Sequence, residues 1–244
     1  MNAIETHGLT RRFGAVEAVR NLDLTVPEGE LFALLGVNGA GKTTAIRMLC
    51  GLLPPTSGDA LLLGHSITRE SSAARALLNI SPQETAVAGG LSVRENLRFI
   101  AGVYGMDRRA AAEAAEAMLE RMGLSEVAGR RAKTLSGGWQ RRLSIAMGLI
   151  SRPKLLFLDE PTLGLDVLAR RELWRVIEGL RSEMTIVLTT HYLEEAEALA
   201  DRVGIMAKGT LKALGTPAQL ISRSGCATFE DAFVALAAGE EARP

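Results

Sequence analysis

Charge of one sign is not in excess in this chain: 28 Lys and Arg residues balance 28 Asp and Glu over 244 residues. A neutral total argues against broad electrostatic binding of nucleic acid, because a polyanion is held by a basic surface. Cysteine is scarce. Cys50 and Cys226 are the two present, and they have no metal-ligand spacing. Cys50 lies in an apolar run and reads as a small core residue. No stretch approaches the roughly 18 consecutive apolar residues of a membrane helix. The opening "MNAIETHGLTRR" lacks the apolar segment of a secretory signal. The expectation is a chain made and kept in the cytoplasm. If it serves a membrane process, another chain crosses the bilayer. No internal repeat or low-complexity segment is visible.

What is present suits one large α/β domain, or a domain with an inserted lobe. Apolar residues make up 47% of the chain, enough for a sizeable core. "AVEAV" and "LDLTV" alternate like short strands, with turns at "FGA" and "PEGE". "LFALL" (Leu31 to Leu35) is a continuous apolar run, as expected of a strand buried on both faces. A helix is expected from Gly41 to about Leu53, stopped by Pro54 and Pro55. "ALLLG" and "LLNIS" read as further strands. From about Gln83 to Ile150 the character becomes that of a helical lobe, with Met118, Leu119 and Met122 at helical spacing. "KLLFLDEP" and "TIVLTT" return to buried-type strands. "RRELWRVIEGLRSE" carries apolar residues at 173, 174, 176, 177 and 180, one helical face. "RVGIMAKGTLKALG" reads as a hairpin turning at Lys208-Gly209. "TFEDAFVALAAG" reads as a short amphipathic helix. Alternating strands and helices imply a mostly parallel sheet.

The most informative stretch is "LLGVNGAGKTTAIRML". Gly36, Gly41, Lys42 and Thr43 satisfy G-x-x-x-x-G-K-[ST] between an expected strand and an expected helix, which is the context this phosphate loop requires. Glycines let consecutive N–H groups turn inward into a concave anion nest. The helix N-terminus adds unsatisfied N–H groups and the positive end of its dipole. Asn38, Gly39, Ala40 and Gly41 supply backbone to that nest, followed by Lys42, Thr43 and Thr44. Lys42 places a point charge near the β- and γ-phosphates, and the Thr43 hydroxyl can coordinate Mg²⁺. "LLFLDEP" delivers Asp159 and Glu160 to the carboxyl edge of a strand, where ligands sit in open α/β sheets. Asp159 is the candidate to hold Mg²⁺ through its water shell, and Glu160 to polarise an attacking water. Taken alone, an apolar run ending in Asp-Glu is any strand end; the phosphate loop gives it meaning.

"LSGGWQRR" (Leu135 to Arg142) narrows the family. With this segment the chain resembles the nucleotide-binding subunit of an ATP-binding cassette (ABC) transporter, over nearly its whole length and with the motifs in order. Gly36 to Thr44 resembles Walker A and "LLFLDEP" resembles Walker B. "LSGG" resembles the signature motif, "SPQ" places Gln83 as the Q-loop glutamine, and "GLD" at Gly164 to Asp166 resembles the D-loop. "TTH" ends in His191, the switch histidine, and Phe13 lies where the family puts an aromatic that stacks on adenine. Ser136, Gly137 and Gly138 precede an apolar helical run. They therefore form a second helix N-terminus and a second anion site, and Ser136 at the N-cap is also a plain helix cap.

The resemblance implies a P-loop α/β core with a mostly parallel sheet, an N-terminal antiparallel β subdomain and an α-helical subdomain inserted at about 84–150. The ATPase domain would cover residues 1–220, and residues 221–244 would form a short extension. It implies ATP and Mg²⁺, with Lys42, Glu160 and His191 catalytic and with Thr43, Gln83 and Asp159 at the metal. Phe13, Gln83, Ser136, Gly137 and Gly138 join the phosphate loop in holding nucleotide. It implies a head-to-tail dimer of two copies around two ATP molecules, and a separate multi-spanning permease that receives its contact near Glu84 to Tyr104. The protein would then be peripheral on the cytoplasmic face of the inner membrane, with no nucleic-acid partner. "TFEDAF" resembles the end of single-domain ATPases of drug, polysaccharide and sodium exporters. Two departures stand out: phenylalanine where many members have tyrosine at position 13, and Trp139 where glutamine usually follows the signature glycines. The competing classes are a soluble ABC ATPase acting on DNA or ribosomes, and a P-loop kinase. A kinase would have no use for "LSGG".

Overall fold

The computed structural model of the chain describes residues 1–238. It is an α/β fold with two sheets. The N-terminal strands are β1 (Asn2–Phe13), β2 (Val16–Pro27) and, after the first helix, β4 (Ser57–Leu62) and β5 (His65–Ser66). They form an antiparallel sheet in the order β2-β1-β4-β5. The second sheet contains β3 (Leu31–Leu35), β6 (Leu78–Ser81), β7 (Leu155–Asp159), β8 (Thr185–Thr190), β9 (Arg202–Ala207) and β10 (Thr210–Gly215). Its order is β10-β9-β3-β8-β7-β6. All neighbours are parallel except β10, which turns back on β9.

The continuous apolar runs have a direct cause. β3, β7 and β8 are buried at every position. Phe32, Leu34, Phe157 and Val187 face one core, shared with the antiparallel sheet and with helix α1 (Lys42–Leu49). Leu31, Ala33, Leu35, Leu156, Leu158, Ile186 and Leu188 face the other, shared with the remaining helices. Each large apolar side chain so buried contributes about 1.5–3 kcal/mol, so the sheet is held from both faces.

The helices after α1 are α2 (Ser71–Ala76), α3 (Val93–Val103), α4 (Arg108–Arg121), α5 (Gly137–Leu149), α6 (Val167–Leu180), α7 (Leu193–Leu199), α8 (Pro217–Ser224) and α9 (Phe229–Ala238). Met118, Leu119 and Met122 are buried at the end of the α4 segment. Leu173, Ile177 and Leu180 form the inner face of α6. Lys208 and Gly209 turn the β9–β10 hairpin with φ of +50° and +77°, the signs a two-residue primed turn needs. α9 contributes Phe229 and Ala232 to the core.

Three local expectations are corrected. "AVEAV" and "LDLTV" are one strand, β2, because Asn21 (φ +44°) takes up an irregularity in pairing rather than ending the strand. The first helix ends at Leu49, not near Leu53, and the prolines do not stop it. Gly51 does, at φ +66°: its N–H donates to Met48 O (3.0 Å) and that of Leu52 to Arg47 O (2.9 Å), the two bonds of a Schellman stop. The helical lobe is not helical from its start, since helix begins at Val93, capped reciprocally by Ser92 and Glu95. The helices α2, α7 and α8, of six to eight residues, are too short to show a helical period in the sequence.

The strand order places the site. β6, β7 and β8 advance toward β3, and the chain then passes to β9 on the other side of β3. The carboxyl ends of β3, β7 and β8 therefore meet at a topological switch point, where open α/β sheets bind ligands.

Candidate active site

The phosphate loop leaves β3 and enters α1 at that edge. Gly36 N donates to Thr190 O (3.2 Å), which ties the start of the loop to the end of β8. Gly41 has φ +104°, and a Cβ there would lie 2.3 Å from Ala18 O, so glycine is the residue that fits. The first amides of α1 have no intrahelical partner. Asn38, Gly39, Ala40, Gly41, Lys42, Thr43 and Thr44 wall a cavity of about 510 Å³, completed by Ala18, Gln83, Glu160, Leu163 and His191.

Inside it the charged groups touch. Lys42 Nζ donates to Gly36 O (2.6 Å) and Val37 O (3.3 Å). It also lies 3.2 Å from Glu160 Oε1, with both side chains about 5% exposed. Glu160 Oε2 is 2.7 Å from His191 Nδ1. Glu160 adopts φ +48°, a strained conformation for a residue with a side chain. Its N–H is held by Thr189 O (3.1 Å) and Thr189 Oγ1 (3.0 Å). Asp159 lies beneath the cavity, its Oδ1 accepting from Thr43 Oγ1 (3.1 Å) and Thr189 Oγ1 (2.6 Å).

Thr189 thus orients both acidic residues, and no sequence pattern singled it out. A fully buried hydroxyl inside "TIVLTT" was the available signal. Thr43 Oγ1, the Asp159 carboxylate and the Gln83 side chain are hard oxygen donors, which fits Mg²⁺ with water filling its shell. Among the described residues no group of three or more His, Cys, Asp or Glu could hold a metal by itself. Cys50 is buried, and burial together with the nearby Asp159 charge pushes its thiol well up, so it stays a protonated core residue.

Two expected groups lie outside the cavity wall. Phe13 sits at the end of β1, on the hairpin whose Ala18 does line the cavity; it is half exposed, with the Arg11 guanidinium 4.7 Å from its ring centre. Ser136 and Gly137 are exposed at the start of α5 and Gly138 partly so. Ser136 takes the N-cap position but its side chain makes no capping bond. Gln140 instead pins the preceding turn, donating from Nε2 to Ala132 O (3.1 Å) and Leu135 O (3.2 Å). Trp139 packs against the core under the Arg142 guanidinium, 4.8 Å from its ring centre. Asp166 caps α6 through Leu168 N and Ala169 N.

Behind His191, Glu195 is fully buried. Its Oε1 accepts from Trp174 Nε1 (3.1 Å), and its Oε2 has no hydrogen-bond partner among the described residues. Burial pushes this carboxyl up, against the pull of Thr190, Thr162 and Trp174. An acid raised on folding binds more protons folded than unfolded, so stability falls as pH climbs from about 4.3, the unfolded value, through the raised one. Glu195→Gln is therefore expected to raise Tm at pH 8, at about 2–4 °C per kcal/mol relieved, with the gain vanishing near pH 4. Thermal melts at both pH values check it, and an equal gain at both would refute the titration.

The site geometry has counterparts in known proteins. The family described as ABC transporter matches residues 19–163. The chain is 43% identical over 239 residues to the probable multidrug ABC transporter ATP-binding protein YbhF of Escherichia coli, covering 96% of this chain and 41% of that one. It is 42% identical over 224 residues to the daunorubicin/doxorubicin resistance ATP-binding protein DrrA of Streptomyces peucetius, covering 91% and 68%. A solved ATP-binding subunit of an ABC transporter superposes with a TM-score of 0.83 at 27% identity, covering 96% of this chain and 99% of its own. The chain thus spans less than half the length of one of these relatives and about two thirds of another. No described helix is long and apolar enough to cross a membrane. With a phosphate loop, Glu160 and His191 joined in one cavity and Asp159 bonded to Thr43 beside it, the chain belongs to the ABC transporter family, as an ATP-binding subunit.

Proposed function

We propose that the chain hydrolyses ATP to drive translocation by a separate membrane-spanning chain. The observation that carries this reading is the convergence of Lys42, Glu160 and His191 in one cavity at the phosphate loop. Glu160 and His191 hold the attacking water in line with the γ-phosphate, and Glu160 accepts its proton. Lys42 and the loop amides stabilise the charge that develops. Thr43, Asp159 and Gln83 would hold Mg²⁺, which would supply neutralisation of phosphate charge when bound. Phe13 is the proposed adenine stack, reached from the hairpin that carries Ala18.

The exposed start of α5 at Ser136, Gly137 and Gly138 has free amides and lies outside the chain's own cavity. This supports a head-to-tail dimer in which it closes over the ATP of a second copy. Exposed Val37, Leu163, Val167 and Leu168 offer apolar surface for that closure.

Gln83 lines the nucleotide cavity and also a second one of about 620 Å³ with Arg47, Leu52, Pro82 and Ala86. A smaller apolar cavity adjoins it at Ile100, Tyr104 and Met147. Exposed Leu52, Phe99 and Val103 also lie in this part of the chain. These features support docking of a permease segment here, so that Gln83 senses both partners. In this reading residues 1–220 are the ATPase domain, with its helical part inserted at about 84–150. Residues 221–244 are an extension, of which 239–244 lie outside the described residues. Drug-related names among the relatives and the "TFEDAF" ending favour export, from the cytoplasmic face of the cell membrane.

The test is affinity purification of the tagged Glu160→Gln chain from gently solubilised native membranes with ATP present. The expected result is a multi-spanning protein in about equal amount. Recovery only from the cytosol, with ribosomes, DNA or no partner, would refute the transporter and favour the soluble class.

A further inference from the structure

Two consecutive arginines follow the signature segment, and the fold gives them different surroundings. Arg142 faces outward, over Trp139 and paired with the exposed Glu172. Arg141 is 4% exposed. Its guanidinium donates to Pro82 O (2.6 Å), Gln83 O (2.6 Å) and, at 3.3 Å, Glu160 O. No carboxylate lies within ion-pair distance of it among the described residues. A buried cation is costly unless its donors are satisfied, and here backbone carbonyls from two segments of the site satisfy them. Arg's planar fork reaches separated carbonyls with donors spread in a fixed plane, a geometry that the single ammonium of a lysine does not reproduce.

We propose that Arg141 is a positioning residue for ATP hydrolysis: from the helix that begins at the signature segment, it holds the Gln83 backbone and the Glu160 backbone in one register. It is itself absent from the cavity wall and reaches the site through the backbone carbonyls of Gln83 and Glu160. Glu160 already holds a strained φ, and a strained conformation persists only where its surroundings over-determine it. Arg141 is one of those restraints. Through it, a shift of the Gln83 segment is felt at the Glu160 backbone and at the start of α5. The inference rests on the reading of Glu160 as the residue that activates water.

The test uses the full chain and its Arg141→Lys, Arg141→Gln and Glu160→Gln variants. ATP turnover, ATP affinity and thermal melting are measured for each. The expected result is folded Arg141 variants that bind ATP within about threefold of the parent. Their kcat falls by about tenfold or more, and Arg141→Lys does not rescue it. Unchanged kcat, or kcat and affinity falling in proportion, would overturn the inference. So would failure of both Arg141 variants to fold, which would make the residue a structural one. Slow Glu160→Gln with normal Arg141 variants would overturn this inference alone. Normal turnover in Glu160→Gln would overturn the reading beneath it.

Discussion

Replacing Glu160 with glutamine is expected to lower ATP turnover by about 100-fold or more, the usual contribution of a positioned general base, while ATP still binds. The two side chains are nearly the same size. Glutamine can still accept from Lys42 and meet His191, where the carboxylate now lies 3.2 Å and 2.7 Å away. The bonds that the residue's N–H donates to Thr189 O and Thr189 Oγ1 do not depend on its side chain. What disappears is the negative charge and the capacity to take a proton from water. The phosphate loop is untouched, so affinity holds. If closure of two copies depends on ATP, a variant that binds without hydrolysing accumulates as a dimer. Steady-state phosphate release together with size-exclusion chromatography in ATP reads both effects. Turnover within about twofold of the parent would remove Glu160 from its role.

Lys42→Ala is expected to do the opposite: it loses binding. Among the described residues Lys42 is the one Lys or Arg in the cavity wall, and its ammonium is already held by the carbonyls of its own loop, at Gly36 and Val37. That pre-placement is why its contact with a phosphate is worth more than that of a free surface lysine. ATP affinity should fall by about 100-fold, which is about 2.7 kcal/mol. Alanine also strands the buried Glu160 carboxylate with His191 as its remaining side-chain partner, so the variant alone should melt lower, by about 1–3 kcal/mol of stability. The clean readout is the Tm gain on adding millimolar ATP, which follows RT ln(1 + [L]/Kd). That gain should be nearly abolished in Lys42→Ala and retained in Glu160→Gln. Equal gains in both would contradict the division of roles.

Much of this was legible in the chain because the relevant physics is local. A glycine-rich loop between an apolar strand and a helix specifies an anion nest over nine residues, Gly36 to Thr44, and its neighbours cannot change the spacing. Runs such as "LFALL" and "TIVLTT" announce burial on both faces, since a half-exposed strand would alternate. Lys208-Gly209 reads as a turn because its two positive φ values belong to the residues themselves. The first helix stops short of the prolines because Gly51, a single residue, outranks these more visible breakers downstream. α7 is not legible in the sequence because seven residues give too little periodicity to read, and its buried Ala196 and Leu199 take their meaning from what they pack against.

The assembly of the site belongs to the tertiary structure. Thr43 and Asp159 stand 116 residues apart in the chain. They meet because β8 is inserted between β3 and β7, an order set by parallel pairings that no local pattern encodes. The same insertion carries Thr189 under both acidic residues and His191 beside Glu160. Nothing in "WQRR" says which arginine turns inward; the packing of α5 decides that Arg141 is buried and Arg142 is not. Phe13 stands outside the cavity wall, and so does Ser136, whose motif implied the ATP of a second copy. Sequence by itself determined the chemical groups and the elements that bear them, since spacing and propensity act over a few residues. The fold alone decided which of those groups touch, because contact between distant segments depends on strand order and packing.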